Sequence, residues 1–302
     1  VSTYFVLVAV LACDDMATAT VNGLSISYEI IGARGRPWVI TPGGRYGKDA
    51  AGIRELAVAL AGEGEQVLIW DRPNTGASDV SFDGVSESEL QADALAGLLE
   101  HLGMAPAVIA GGSGGSRVSL LTAARHPRVA AGLAVWWVSG GVYGMMSIGV
   151  HYASGSFQAA WKDGMAAVAE LPEWRESIER NPGNRGRILA QDRGGFLATM
   201  ERWMAVYCPR EGELVPGLPD AVARELAVPA LVLRSGASDI HHRRETSETL
   251  AALLPNAVLR EPPWPDTEWA DRHTPEAAKE GLFARWPLLA PVLLKWSREA
   301  LA

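Results

Sequence analysis

Ala107-Val108-Ile109-Ala110-Gly111-Gly112-Ser113-Gly114-Gly115-Ser116-Arg117-Val118-Ser119-Leu120-Leu121-Thr122-Ala123-Ala124-Arg125 is the stretch on which the reading of this chain turns. Four small apolar residues run into Gly-Gly-Ser-Gly-Gly, and an apolar-periodic run follows at once. A buried strand is therefore expected to pass into a helix through Ser113. Gly111 and Gly115 lie two places either side of the serine, where a Cβ would collide with the neighbouring strand and helix as the chain doubles back. A helix starting at Gly114 would aim free N–H groups and its positive dipole end at negative charge developing beside Ser113. A glycine-rich turn with no chemistry has the same local sequence, so the remaining chain has to decide.

Upstream, residues 18–31 alternate around Asn22-Gly23, a strong hairpin signal, which predicts two opening antiparallel strands. Trp38-Val39-Ile40-Thr41 reads as a buried strand stopped by Pro42-Gly43-Gly44. Residues 48–62 carry Ile53, Leu56, Ala57 and Leu60 at helical spacing, and residues 66–70 are again of β type. Asp71-Arg72-Pro73-Asn74-Thr75-Gly76-Ala77-Ser78-Asp79 is loop. Ser86, with Glu89 at the capping-box position, opens a helix running to about Leu102. Downstream come a strand over 129–138 that ends in Ser139-Gly140-Gly141, a strand over 230–234, a helix over 245–254, a strand over 257–260 and a closing helical region over 274–302.

Alternating strands and helices predict parallel crossovers: an α/β fold with a mostly parallel central sheet flanked by helices. Between 142 and 227 the rhythm breaks, and Trp161, Trp174 and Trp203 fall in helical pieces punctuated by Pro172 and Asn181-Pro182-Gly183. That span predicts an inserted helical cap. The expected organisation is an extension at 1–15, a first core part at 16–141, the cap at 142–227 and a second core part at 228–302.

Composition narrows the function classes. The chain has 302 residues, 48% hydrophobic, and can bury a large core. A net charge of −8 with no basic run excludes a nucleic-acid or anionic-membrane surface. The two cysteines, Cys13 and Cys208, offer neither a disulfide framework nor metal-ligand spacing, so a reducing, cytoplasmic setting is expected. Residues 2–13 are apolar and of signal-peptide length, but no Lys or Arg precedes them, so they read as an upstream extension. They are also too short to span a bilayer.

Taken together, the hairpin, T-P-G-G, D-R-P-N-T-G-A-S-D, G-G-S-G-G, the helical insertion and P-A-L-V-L-R-S-G-A-S-D resemble, in that order, the α/β-hydrolase fold superfamily over residues 18–300. The resemblance implies Ser113 as nucleophile on a nucleophile elbow, with an oxyanion hole formed by Gly114 and the loop at Gly43-Gly44. Pro42 has no N–H to give, so Gly44 is the expected second donor and Arg45 the next. Asp239 stands where the superfamily carries its acid; an Asp before a helix can equally be an N-cap.

The histidine departs from the pattern. Superfamily members place it a few residues past the last strand, but here that segment reads Glu261-Pro262-Pro263-Trp264-Pro265-Asp266-Thr267-Glu268-Trp269. A serine without a base is a weak nucleophile. His101 and His126 sit at helix ends and suit structural roles. His151 falls in the cap. His242 and His241, just after Asp239 on the rim where open α/β sheets bind ligands, are preferred to His273. Asp266 is an alternative base. Arg243 and Arg244 read as a solvated face, or as binders of a substrate carboxylate. Arg45, Trp137 and Trp264 are candidate substrate contacts, although tryptophans chiefly supply packing.

The expected activity is serine-dependent hydrolysis of a small apolar ester, lactone or carbon–carbon bond substrate, without metal or organic cofactor. The alternatives are a lyase or cofactor-free oxygenase on the same fold, or a ligand-binding protein lacking the triad. The expected partner is a small molecule. A homodimer is compatible with the sequence without being specified by it.

Overall fold

A computed structural model describes residues 17–208 and 210–301. The expected extension at 1–15, with Cys13, lies outside the described residues. Eight strands form one sheet in the order β1-β2-β4-β3-β5-β6-β7-β8. β1 (Ala17–Val21) and β2 (Leu24–Ile31) form the expected hairpin, with Val21 opposite Leu24. Asn22 and Gly23 both take positive φ, as a two-residue turn that matches the strand twist requires. β2 also pairs antiparallel with β4 (Gln66–Trp70), and the pairings from β4 onward to β8 are parallel.

The parallel strands are β3 (Pro37–Thr41), β4, β5 (Ala107–Ser113), β6 (Ala130–Val138), β7 (Ala230–Leu233) and β8 (Ala257–Arg260). Their period-2 alternation divides two apolar layers. Val39, Leu68, Ile109, Val135 and Val232 enter one layer; Ile40, Ile69, Val108, Ala134 and Leu231 enter the other. α2 (Glu87–His101), α3 (Gly114–Arg125) and α11 (Arg244–Leu253) cover the first layer. α1 (Ile53–Gly62) and α13 (Ala290–Ala300) cover the second.

Three expectations shift locally. α1 starts at Ile53 instead of 48, because Gly52 takes φ +96 and its N–H is held by the Glu55 carboxylate. Glu89 completes only half of a capping box: Ser86 Oγ accepts from its N–H at 3.1 Å, while its carboxylate pairs with Arg125 at 2.7 Å. The closing region is a full helix only in α13, after α12 (Glu268–Asp271) and two short 3-10 turns.

Between β6 and β7 the chain is helical: α4 (Gly141–Gly149), a π turn (Val150–Ser154), α5 (Gly155–Asp163), α6 (Met165–Ala169), α7 (Pro172–Arg180), α8 (Gly183–Leu189), α9 (Arg193–Val206) and α10 (Asp220–Ala223). This insertion has its own apolar cluster around Phe82, whose ring lies 5.5 Å from Trp174 and 4.9 Å from Phe196. Asn184 ties it to the sheet side by accepting from Val80 N–H at 2.8 Å and donating to Ser78 O at 2.9 Å. No helix among the described residues is long and apolar enough to cross a membrane.

Candidate active site

Ser113 closes β5 with φ 57 and ψ −129, a left-handed conformation that a non-glycine residue adopts only under constraint. The constraint is steric. A Cβ on Gly111 would stand 2.5 Å from Gly115 O, and one on Gly115 would stand 2.0 Å from Thr41 O. Only glycine at both places lets α3 leave so close to β3 and β5. Gly112 is equally confined, against the Trp136 and Trp286 rings.

The half-exposed Ser113 hydroxyl lies 2.9 Å from His242 Nε2, and His242 Nδ1 lies 3.0 Å from Asp239 Oδ2. A carboxylate oxygen only accepts, so Nδ1 carries the proton and Nε2 is left to accept from the serine. Asp239 Oδ1 meanwhile accepts from the backbone N–H groups of His241 at 3.0 Å and His242 at 2.8 Å. Asp239 and His242 are 4% and 3% exposed, so solvent does not compete for these bonds.

The imidazole is held by tryptophans. Trp137 stacks on it at 6.1 Å and 20°, and Trp269 meets it edge-on at 5.0 Å. Trp137 itself takes φ +46 where the β5–β6 register skips a residue, a bulge that aims its ring beneath the histidine. The Arg272 guanidinium lies 4.1 Å from the Trp137 ring centroid, and burial pushes its pKa down to about 10.

Facing Ser113 is the glycine loop after β3. A Cβ on Gly43 would sit 2.7 Å from Ser113 Oγ, so glycine there keeps the space in front of the hydroxyl open. Arg72 donates to Gly43 O at 3.3 Å, Gly44 O at 2.7 Å and Tyr46 O at 3.3 Å. In a trans peptide the N–H opposes the C=O, so anchoring Gly43 O turns Gly44 N–H away from Arg72. Gly44 N also lies 3.6 Å from where a Gly114 Cβ would stand. Gly114 is the first residue of α3, and its N–H has no carbonyl one turn earlier to bind.

No protein-family model matches the sequence, and no curated protein matches it. Solved structures match it over most of its length. A thermophilic esterase from Thermogutta terrifontis, with malate bound, is 21% identical over 95% of this chain and 99% of that one, with a TM-score of 0.58. A mutant meta-cleavage product hydrolase from Pseudomonas fluorescens IP01, complexed with acetates, is 16% identical over 94% and 98%, with a TM-score of 0.58. The enol-lactonase from Burkholderia xenovorans LB400 is 24% identical over 87% and 99%, with a TM-score of 0.53. The chain has the α/β-hydrolase fold.

Within that fold the segment after β8, where a histidine was sought, does other work. Asp266 O accepts from Ser238 N–H at 3.2 Å and from Ser238 Oγ at 2.8 Å, which braces the loop bearing Asp239. The Asp266 carboxylate turns to solvent and pairs with Arg244, away from Ser113. His273 is exposed and bonds Trp269 O at 2.7 Å. His241 bonds Asp239 only through its backbone, and its ring lies against Trp269. Asp266, His273 and the His241 ring are thus not brought to the serine. Arg243 pairs with Glu245 on the surface.

Trp137 and Trp264, expected as substrate contacts, are 3% and 9% exposed and belong to the layer with Phe283 and Trp286. Their large aromatic area packs behind the histidine. Arg45 does face the site region: it pairs with Glu87 at 2.7 Å, donates to Tyr152 O at 3.1 Å and lies over Trp174 at 4.4 Å. Sequence reasoning missed Arg117, Glu87 and Tyr152, which line a cleft with Gly44 and Gly114. The one available signal was a charged residue, Arg117, inside the apolar run of α3. Among the described residues no group of His, Cys, Asp and Glu could hold a metal ion.

Proposed function

We propose that this chain is a serine hydrolase that cleaves small, largely apolar ester, lactone or carbon–carbon bond substrates beneath a helical cap formed by the insertion. The observation that carries the reading is the unbroken hydrogen-bonded chain from Ser113 Oγ through His242 to Asp239. Ser113 attacks a carbonyl carbon as its proton passes to His242 Nε2, and Asp239 stabilises the imidazolium. The N–H groups of Gly44 and Gly114 receive the developing oxyanion. His242 then protonates the leaving group, and water repeats the sequence to free the acid and the serine. A lyase or cofactor-free oxygenase would suit a fold with no base beside the serine, and the 2.9 Å approach of His242 Nε2 to Ser113 Oγ favours hydrolysis over both.

The test pairs labelling with turnover. A fluorophosphonate should modify the protein at Ser113, and Ser113→Ala should lose labelling and at least ~10³-fold in kcat on 4-nitrophenyl esters. Unchanged turnover in Ser113→Ala would overturn the reading.

A further inference from the structure

One side chain of the insertion reaches down to Gly114. Tyr152 lies in the π turn between α4 and α5, a helical distortion found often at functional sites. Its hydroxyl stands 3.7 Å from where a Gly114 Cβ would lie, and Gly44 N stands 3.6 Å from the same point. The phenol and the two amides assigned to the oxyanion therefore border one small space. We propose that the Tyr152 hydroxyl is a third hydrogen-bond donor to the oxyanion, delivered by the insertion. The proposal rests on the serine hydrolase reading and adds a catalytic residue to it.

Unmet hydrogen bonding carries the argument. Tyr152 is anchored everywhere except at its hydroxyl. Arg45 donates to its main-chain O at 3.1 Å, the same guanidinium lies 5.6 Å from its ring centroid, and the Tyr207 ring lies 6.4 Å away at 31°. Arg45 is in turn fixed by Glu87 at 2.7 Å. Among the described residues no group accepts from the phenol O–H or donates to it. A phenol packed into protein ordinarily finds a partner, so a held ring with an unused hydroxyl is prearranged for an acceptor from outside the chain.

Chemistry and size select that acceptor. Burial raises the Tyr152 pKa above the ordinary tyrosine value, so the group keeps its proton and donates. The gap that Tyr152 borders with Gly44 and Gly114 has about 10 Å³ of free room, the space of one water-sized group. A single oxygen fits there, and nothing larger does. The substrate oxygen that lies beside the Gly44 and Gly114 N–H groups is the one that becomes the oxyanion. A donor aimed at it strengthens as charge develops, so its effect falls on the transition state more than on the bound substrate.

The test is Tyr152→Phe, which removes one oxygen and keeps the ring. With 4-nitrophenyl butyrate, kcat should fall about 10- to 10²-fold while KM stays within about twofold, the two amides being left in place. The melting temperature should not change, since the hydroxyl bonds nothing in the free protein. The adduct of 1,1,1-trifluoro-2-heptanone with Ser113 carries the same oxyanion, so this ketone should bind the variant more weakly by the factor lost in kcat/KM. A wild-type kcat in Tyr152→Phe, a loss confined to KM, or an unchanged affinity for the ketone overturns the proposal.

A second arm separates the two readings. If wild type takes a fluorophosphonate at Ser113 and turns over esters while Tyr152→Phe matches it, the third donor is refuted and the hydrolase stands. If wild type neither takes the label nor turns over, both fall.

Discussion

Asp239 and His242 stand three residues apart on one loop, and the carboxylate that receives the histidine's Nδ1–H also receives its backbone N–H. The two residues are thus bound to each other twice, by side chain and by main chain. The side-chain bond holds the imidazole in the tautomer whose Nε2 accepts from Ser113, and the main-chain bond fixes the carboxylate that does so.

Asp239→Asn should therefore remove the fixed tautomer while its amide oxygen can still accept the two backbone N–H groups. The expected result is a fall in kcat of about 10²–10⁴-fold with little loss of stability. Steady-state kinetics beside a thermal melt check this, and a wild-type kcat in a folded variant would deny Asp239 its role.

Ser113 is held at φ 57, where glycine is at ease. Ser113→Gly should be more stable than Ser113→Ala by about 1 kcal/mol, because a left-handed residue with a Cβ costs roughly 1–2 kcal/mol and glycine's larger unfolded-state entropy takes some back. Urea denaturation of the two inactive variants measures the difference; equal midpoints would mean that the turn is unstrained.

The neighbouring glycines should respond very unequally to one added methyl group. At Gly115 it would lie 2.0 Å from Thr41 O, whereas at Gly114 the nearest atom is Gly43 Cα at 3.6 Å, an ordinary contact. Gly115→Ala should cost about 2–4 kcal/mol, and Gly114→Ala less than about 1 kcal/mol. Parallel chemical denaturation of both variants provides the comparison.

His241 gives a pH dependence with a definite sign. Burial, with His242 as the next contribution, holds its pKa below the ordinary histidine value. The unfolded chain then binds more protons across that interval, so stability falls as pH drops below the unfolded-state pKa of about 6.5. His241→Gln should flatten this loss, and its melting temperature should gain on wild type at pH 5 relative to pH 8. A constant offset between the two pH values would show that His241 contributes nothing to the slope.

Much of the sheet was legible because its central parallel strands are buried on both faces and so appear as short unbroken apolar runs, such as residues 67–70 and Ala230–Leu233. Asn22-Gly23 and the glycines around Ser113 were legible because special backbone angles demand special residues. The preference for His242 followed from its distance to Asp239. What sequence could not convey was side-chain direction. Trp137 turns under the histidine only because β6 bulges there, and Asp266 works through its carbonyl, a group every residue possesses. The cleft lined by Arg45, Arg117 and Tyr152 joins the β3 and β4 loops, α2, α3 and the π turn, elements that lie far apart along the chain.

Since Asp239 and His242 share one short loop braced by Asp266 O, their mutual geometry is set locally, and only the reach from His242 to Ser113 depends on how that loop sits against the sheet. The segment past β8 serves that loop as a buttress, through the Asp266 carbonyl on one side and the Trp269 ring on the other.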